Sequence, residues 1–539
     1  MLLKSVLLGL AVVLTSVEAQ RYGDNHVPVR RDNATIEAAF PDPNTKLIAP
    51  AFTKPESVPG DFANGSSGPT DDYELDYFLR SLAARNEWMS YSSADFQSEE
   101  GRAFPYVYLS ESNQESTSAL NTSNKVRVYL QAAVHGNEPA GDQSLLALLG
   151  KMDANQTWTA SLLEKLDIMI LPRYNPDGVA YFQRTLATNF DPNRDHIKLA
   201  RRQTRDLKQV FNDFAPHVAV DMHEYGAAST YGGSYKHASD GLFSAAKNLN
   251  IHPEIRRLSE EVFAENIGSA MEAADLRWEP YVTGSTNSTP GSSISFAEAG
   301  SDGKIGRNAM GLTQSITFLC EMRGIGIADQ EFTRRTFSGL TMAESIIETA
   351  ADNAQDVYDT METSIQEFID GHDEIIITDS SDVITRPYSM IDITNGSVVQ
   401  VPVEFSVTTP VNANLTRERP EAYLIPKAWA DLAERLRIYG LEVQTLTNPF
   451  RGQVETLNIT SAEFGDSYYE GVVLLTVTTE PKTTEVELPP GSFLVSTRQK
   501  NAGLAFIALE PENIDSFVAF NIIPVEVGDE YPIFRVVSQ

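Results

Sequence analysis

Residues 126–141, VRVYLQAAVHGNEPAG, constrain this chain more than any other stretch. Val126, Val128 and Leu130 alternate with Arg127 and Tyr129, and the apolar run continues through Ala132, Ala133 and Val134. That pattern predicts a buried strand. It stops on His135-Gly136-Asn137-Glu138, and Pro139 then opens a helix carrying Leu145, Leu146, Leu148 and Leu149. In open α/β sheets, ligands bind beyond the carboxyl ends of the strands. A His-x-x-Glu at such an end offers an imidazole and a carboxylate to one cation, a pair suited to zinc. The pair alone is a weak signal, because a chain with 74 Asp and Glu contains one by chance.

Other strand ends strengthen it. Leu166–Leu171 (LDIMIL) is a further buried strand, running into the turn Asn175-Pro176-Asp177-Gly178. Val218–Val220 is another and ends on Asp221-Met222-His223; Ser315–Glu321 is the last of the set. Helical spacing stands between them, so an α/β domain with a mostly parallel or mixed sheet is expected. A catalytic zinc takes about three protein ligands and keeps one position open. His135, Glu138 and His223 supply the three, for one ion per chain. Glu321 is then free to serve as general base toward the water that the metal activates. Glu224 is a rival base, yet neighbours on a strand point to opposite faces, so it is expected to turn away. No His-Glu-x-x-His occurs, which argues against a helix-borne zinc protease arrangement. His26, His196, His217, His237, His252 and His372 have no partner at ligand spacing and are read as structural, His196 as a surface residue.

The ordered motifs resemble the zinc metallocarboxypeptidase family, the carboxypeptidase A/B-type enzymes. That family shows His-x-x-Glu, Asn-Pro-Asp-Gly, an Arg, Asp-x-Asn-Arg, a strand-end His and a strand-borne Glu. Here they stand as His135–Glu138, Asn175–Gly178, Arg184, Asp191-Pro192-Asn193-Arg194, His223 and Glu321. The resemblance runs from about Asp72 to Ile369. It implies a mixed eight-stranded sheet sandwiched by helices. It implies that Arg184 stabilises the oxyanion of the tetrahedral intermediate, as a fixed positive donor can. Asn193 and Arg194 would clamp the substrate's terminal carboxylate, for which a guanidinium is well shaped. Asp191 would orient His135. The family's substrate-capping Tyr, about twenty residues before the catalytic Glu, has no counterpart: no Tyr lies between Tyr281 and Glu321, and Phe296, Arg307 or nothing at all is left to fill the space.

Composition bounds the setting. Residues 1–19 carry Lys4, an apolar run from Ser5 to Leu14 and the exit Val17-Glu18-Ala19, a secretory signal with cleavage after Ala19. The run is too short to span a membrane and no later stretch is long enough, so a soluble secreted product is expected. A net charge of −32 argues against nucleic acid or anionic membrane as partner. The single cysteine, Cys320, sits in an apolar strand and reads as a buried thiol. Sequons at Asn33, Asn64, Asn121, Asn155, Asn287, Asn395, Asn414 and Asn458 mark N-linked glycan sites.

The chain divides by texture. Residues 20–70 are an extended, polar lead-in, 71–370 the α/β catalytic domain, and 371–539 a separate, mainly β accessory region. Strands are expected there at Ile375–Thr378, Val398–Thr408, Gly471–Thr479 and Phe517–Val527, with one helix at Pro426–Tyr439. Three functions compete. A secreted carboxypeptidase would take peptide or protein C-termini. A zinc amidase or deacylase would act on small N-acyl amino acids and needs a small, closed cleft. An inactive peptide-binding glycoprotein on the same fold would have lost a ligand or the base.

Overall fold

The computed structural model describes residues 25–111 and 123–537. The expected signal at 1–19 and the sequon at Asn121 lie outside the described residues. The first eleven strands in chain order are β1 (Met89–Ser93), β2 (Pro105–Leu109), β3 (Val126–Ala132), β4 (Leu166–Leu171), β5 (Val218–Gly226), β6 (Tyr235–His237), β7 (Gly241–Ala245), β8 (Trp278–Pro280), β9 (Val282–Gly284), β10 (Ser295–Glu298) and β11 (Ile316–Ile325). Eight of them form one sheet in the order β1-β2-β4-β3-β5-β11-β7-β8. Its centre is parallel, β4 on β3, β3 on β5 and β5 on β11. β1 is antiparallel to β2, β2 to β4 and β7 to β11, while β8 runs parallel to β7, so the sheet is mixed.

Both faces of this sheet are covered. Every residue of β3 and β4 is buried, Arg127, Gln131 and Asp167 included, which is why both are mainly apolar. Val128 and Leu130 face a core shared with the helices Pro139–Ala154 and Phe332–Asp352. Tyr129, between them, faces the opposite layer, with Leu207, Phe211 and Phe214 of the helix Arg202–Phe214. Cys320 is buried in β11 and free.

The C-terminal residues build two further sheets. The hairpin of β12 (Ile375–Asp392) and β13 (Val398–Arg417) joins earlier strands in the order β6-β12-β13-β10-β9. An antiparallel sheet holds β14 (Ala422–Ile425), β15 (Gln444–Thr445), β16 (Phe450–Tyr469), β17 (Val472–Leu488), β18 (Phe493–Ser496) and β19 (Phe534–Val536), with β16 and β17 as a second long hairpin. The fold is thus a mixed α/β sheet between helices with an added, mostly β region. The change of texture at 370/371 is no gap in packing: β12 pairs with β6 and β13 with β10. Two details differ from the pattern reading. Phe517–Val527 forms turns and irregular chain rather than a strand, buried over Phe517–Phe520 and exposed at Val527. Ala502–Leu509 (AGLAFIAL) is a fully buried helix with no polar face to betray it.

The lead-in is docked rather than trailing. Asp32 is buried and ion-paired with Lys236 Nζ (2.5 Å) and with Arg323. Among the described residues, no helix is long and apolar enough to cross a membrane.

Candidate metal centre and cleft

The carboxyl end of β3 is bent into position. Ala133 adopts φ +51°, a left-handed conformation rarely populated without glycine, and turns the chain out of the sheet just before His135. Two hydrogen bonds from the end of β4 hold that turn: Tyr174 N–H to Ala132 O at 2.9 Å and Asn175 N–H to Ala133 O at 3.0 Å. Asn175 then knits the loops together. Its Nδ2 donates to Thr185 O (3.0 Å) and Val134 O (3.3 Å), and its Oδ1 accepts from Gly178 N–H (2.8 Å). Gly136 packs so closely on this turn that a Cβ there would lie 1.8 Å from the Gly178 carbonyl carbon. The Asn-Pro-Asp-Gly motif is therefore the mould against which His-x-x-Glu is cast.

His135, Glu138 and His223 meet. Glu138 Oε1 lies 2.7 Å from His135 Nδ1, Glu138 Oε2 lies 2.9 Å from His223 Nδ1, and the two Nδ1 atoms are 3.1 Å apart. All three residues are buried. The outer nitrogens face carboxylates: His135 Nε2 is 3.1 Å from Asp191 Oδ1, and His223 Nε2 is 3.0 Å from Asp221 Oδ2. Both Nδ1 atoms turn to Glu138 while the Nε2 atoms face carboxylates, so a proton or a metal cation must sit among these three donors. The donor set, two imidazoles and one carboxylate, suits zinc. Burial alone would raise the Glu138 carboxyl, but His135 and His223 hold it below the usual carboxylate range.

Glu321 is the register partner of His223 on the adjacent parallel strand, β11 beside β5. It is 7% exposed and lines the cleft. Burial pushes its carboxyl up to about 8, opposed by His223 and reinforced by Glu138. A divalent cation in the triad would pull it back down. Glu224 is turned to Arg335, with Oε1 accepting from Nη2 at 2.6 Å and Nε at 2.9 Å.

Asp191 does more than face His135. Its Oδ2 accepts from Arg184 Nε (3.0 Å) and Nη2 (2.8 Å), which aims Nη1 of Arg184 at the triad, 3.2 Å from His135 Nδ1. Asn193 Oδ1 accepts from Gly306 N–H at 2.7 Å, and Arg194 Nη1 donates to Asn193 O at 2.7 Å. Arg184, Asn193, Arg194 and Glu321 all line one cleft of about 710 Å³.

Sequence reasoning missed Tyr281 and Tyr469, which line that cleft, while Arg307, one of the residues offered for the missing Tyr, lines it too. Phe296 does not; it is buried in an aromatic cluster, stacked on His237 (centroids 5.2 Å apart). His196 is buried, not on the surface. Tyr469 belongs to the C-terminal hairpin, whose turn, Glu470-Gly471, leans on the site. Asp191 N–H donates to Glu470 Oε2 (3.0 Å) and Lys198 Nζ to Glu470 O (2.8 Å). No sequence signal marks these residues, since they act across 279 positions.

The family model described as zinc carboxypeptidase matches residues 76–321. A carboxypeptidase 2 of Trichophyton tonsurans is 55% identical over 521 residues, which cover 96% of each chain. A carboxypeptidase 2 of Trichophyton rubrum is 55% identical over 523 residues, with the same coverage. Among solved structures, a metallo-carboxypeptidase from Burkholderia cenocepacia is similar at 15% identity and a TM-score of 0.38, over 52% of this chain and 69% of that one. The chain belongs to the zinc carboxypeptidase family. It is a zinc metallocarboxypeptidase, a hydrolase of peptides.

Proposed function

We propose that this enzyme is secreted and removes residues one at a time from the free C-termini of peptides and proteins, with one zinc per chain. Its observation of greatest weight is Glu321: a buried carboxylate, in register with His223, with no hydrogen-bond or ion-pair partner among the described residues. A structural carboxylate would be paired; this one is free to move a proton.

His135, Glu138 and His223 hold the metal, which when bound polarises a carbonyl and makes water a nucleophile near neutral pH. Glu321 takes the proton of the attacking water and delivers it to the leaving amine. Arg184, fixed by Asp191, presents Nη1 where negative charge develops on the scissile carbonyl oxygen. Asn193 and Arg194 bind the terminal carboxylate, so the last peptide bond of the chain is the one left over the triad. A large cleft supports a peptide over a small N-acyl amino acid, and retention of every ligand and of the base supports an active enzyme over a binding protein. Secretion rests on the composition of residues 1–19. Exposed sequon asparagines at 33, 64, 155, 287, 395 and 414 support N-linked glycans.

The test compares one peptide as free acid and as C-terminal amide, each with and without a chelator. The acid is expected to shorten stepwise, and the amide to react about 100-fold more slowly, the worth of hydrogen bonds to a charged group. Equal cleavage of both, or full rate under chelation, would reject the reading.

A further inference from the structure

The cleft contains a cation that the proposed mechanism does not use. Arg307 lies in the short helix Gly306–Gly311, lines the same cleft as Arg194 and Glu321, and is only 1% exposed. Its Nη2 donates to Gly300 O (2.5 Å), but Nε and Nη1 are buried without any partner. Among the described residues it forms no ion pair. Two of the carboxylates near it, Glu298 and Asp302, are engaged elsewhere, and Glu321 in the same cleft makes no ion pair with it. Glu298 accepts from Thr408 N–H (2.7 Å) and from Thr409 Oγ1 (2.5 Å). Asp302 is paired with Lys304 (2.8 Å), which also holds Asp515 (2.9 Å).

Three other buried arginines each have a carboxylate, although Nε of Arg173 and of Arg323 is also without a partner. Arg173 pairs with Asp142 at 2.8 Å, Arg335 with Glu224 at 2.6 Å, and Arg323 with Asp32 and Glu331. A chain with 74 acidic residues has no shortage of counter-ions. Burying a guanidinium unpaired is costly, so free donors at a cleft wall point to an anion that arrives from outside. Position identifies the anion. Arg307 follows directly on Gly306, whose N–H is held by Asn193 beside Arg194. The pair that takes the terminal α-carboxylate is thus tied to the backbone that carries a second guanidinium.

We propose that Arg307 is a specificity-determining residue that binds the side-chain carboxylate of the substrate's last residue, so that the enzyme prefers peptides ending in Glu or Asp. This rests on the reading above, in which Arg194 and Asn193 take the α-carboxylate. Two guanidinium groups then meet the two anions of an acidic C-terminal residue. A Gln or Leu terminus leaves the Nε and Nη1 donors unpaired, and a Lys terminus places like charges together.

The experiment uses the zinc-loaded full chain and four peptides that differ only in the last residue, Glu, Gln, Leu or Lys, all as free acids. The Glu peptide is expected to exceed the Gln peptide in kcat/KM by about 10- to 100-fold, the range for hydrogen bonds to a charged group. In Arg307→Met the Glu/Gln ratio is expected to fall to near one, and in Arg307→Lys to lie between. A wild-type enzyme that cleaves Gln, Leu or Lys termini as well as Glu overturns the assignment while the carboxypeptidase mechanism stands; a chain that cleaves none of the four overturns both. A Glu/Gln ratio unchanged in Arg307→Met rejects Arg307 as its source. If the variants do not fold, inhibition of the wild type decides: glutarate is expected to inhibit well below the concentration at which butyrate does, and equal inhibition contradicts the proposal.

Discussion

The eight-stranded sheet and the C-terminal β region reach the same cleft by different means. In the sheet, the proposed ligand His223 and the proposed base Glu321 are fixed by register: Glu321 sits beside His223 because β11 and β5 are paired in parallel, and both strands are buried on two sides. The C-terminal region approaches through the turn of a long hairpin whose outer half is solvent-exposed, and it touches the site with Tyr469 and Glu470. A packed parallel sheet holds groups rigidly enough for proton transfer, whereas a hairpin turn braced by one ion pair and a few hydrogen bonds can only shape a wall. The comparison assigns chemistry to the sheet and substrate fit to the hairpin.

Three substitutions grade that division. Glu321→Gln removes the proton carrier and leaves the three ligands intact. Turnover is expected to fall about 10²–10⁴-fold, with zinc content unchanged by elemental analysis; retained turnover would remove Glu321 as base. Asp191→Asn strikes the sheet side of the site, since the Asp191 carboxylate faces His135 and clamps Arg184 while its backbone N–H still holds the hairpin turn. Metal affinity is expected to drop about 10–100-fold, read by competition with a fluorescent chelator; unaltered affinity would show that His135 needs no such partner. Glu470→Ala frees only the turn. A rise in KM of about fivefold, equivalent to one hydrogen bond of ~1 kcal/mol, is expected with kcat nearly constant. A large loss of kcat instead would place the hairpin in the chemistry and erase the contrast drawn here.

The same contrast explains what the sequence could and could not disclose. The strand ends were legible because β3, β4, β5 and β11 are buried on both faces and stop on chemistry-bearing residues in a fixed order. Asp191 was legible as a partner of His135 but not as the clamp on Arg184, because both contacts converge on one carboxylate only in three dimensions. The hairpin's role was invisible: Asp191 and Glu470 stand 279 positions apart, and no local pattern encodes that meeting. Short apolar runs misled for a different reason. Phe517–Val527 is β-branched and aromatic but forms turns and irregular chain, and Ala502–Leu509 is apolar all round, so neither has a period to separate strand from helix. Arg307 was noticed only as a filler for a missing Tyr; its unpaired donors are a property of the folded surroundings, not of the residue.

The account stands or falls on the cation among His135, Glu138 and His223. Anomalous diffraction at the zinc edge, from crystals of the protein as isolated, tests it most directly. One peak is expected within about 2.0–2.2 Å of His135 Nδ1, His223 Nδ1 and a Glu138 oxygen, with Glu321 unbound to it. A peak elsewhere, a peak bonded to Glu321, or no peak after zinc is added would contradict it.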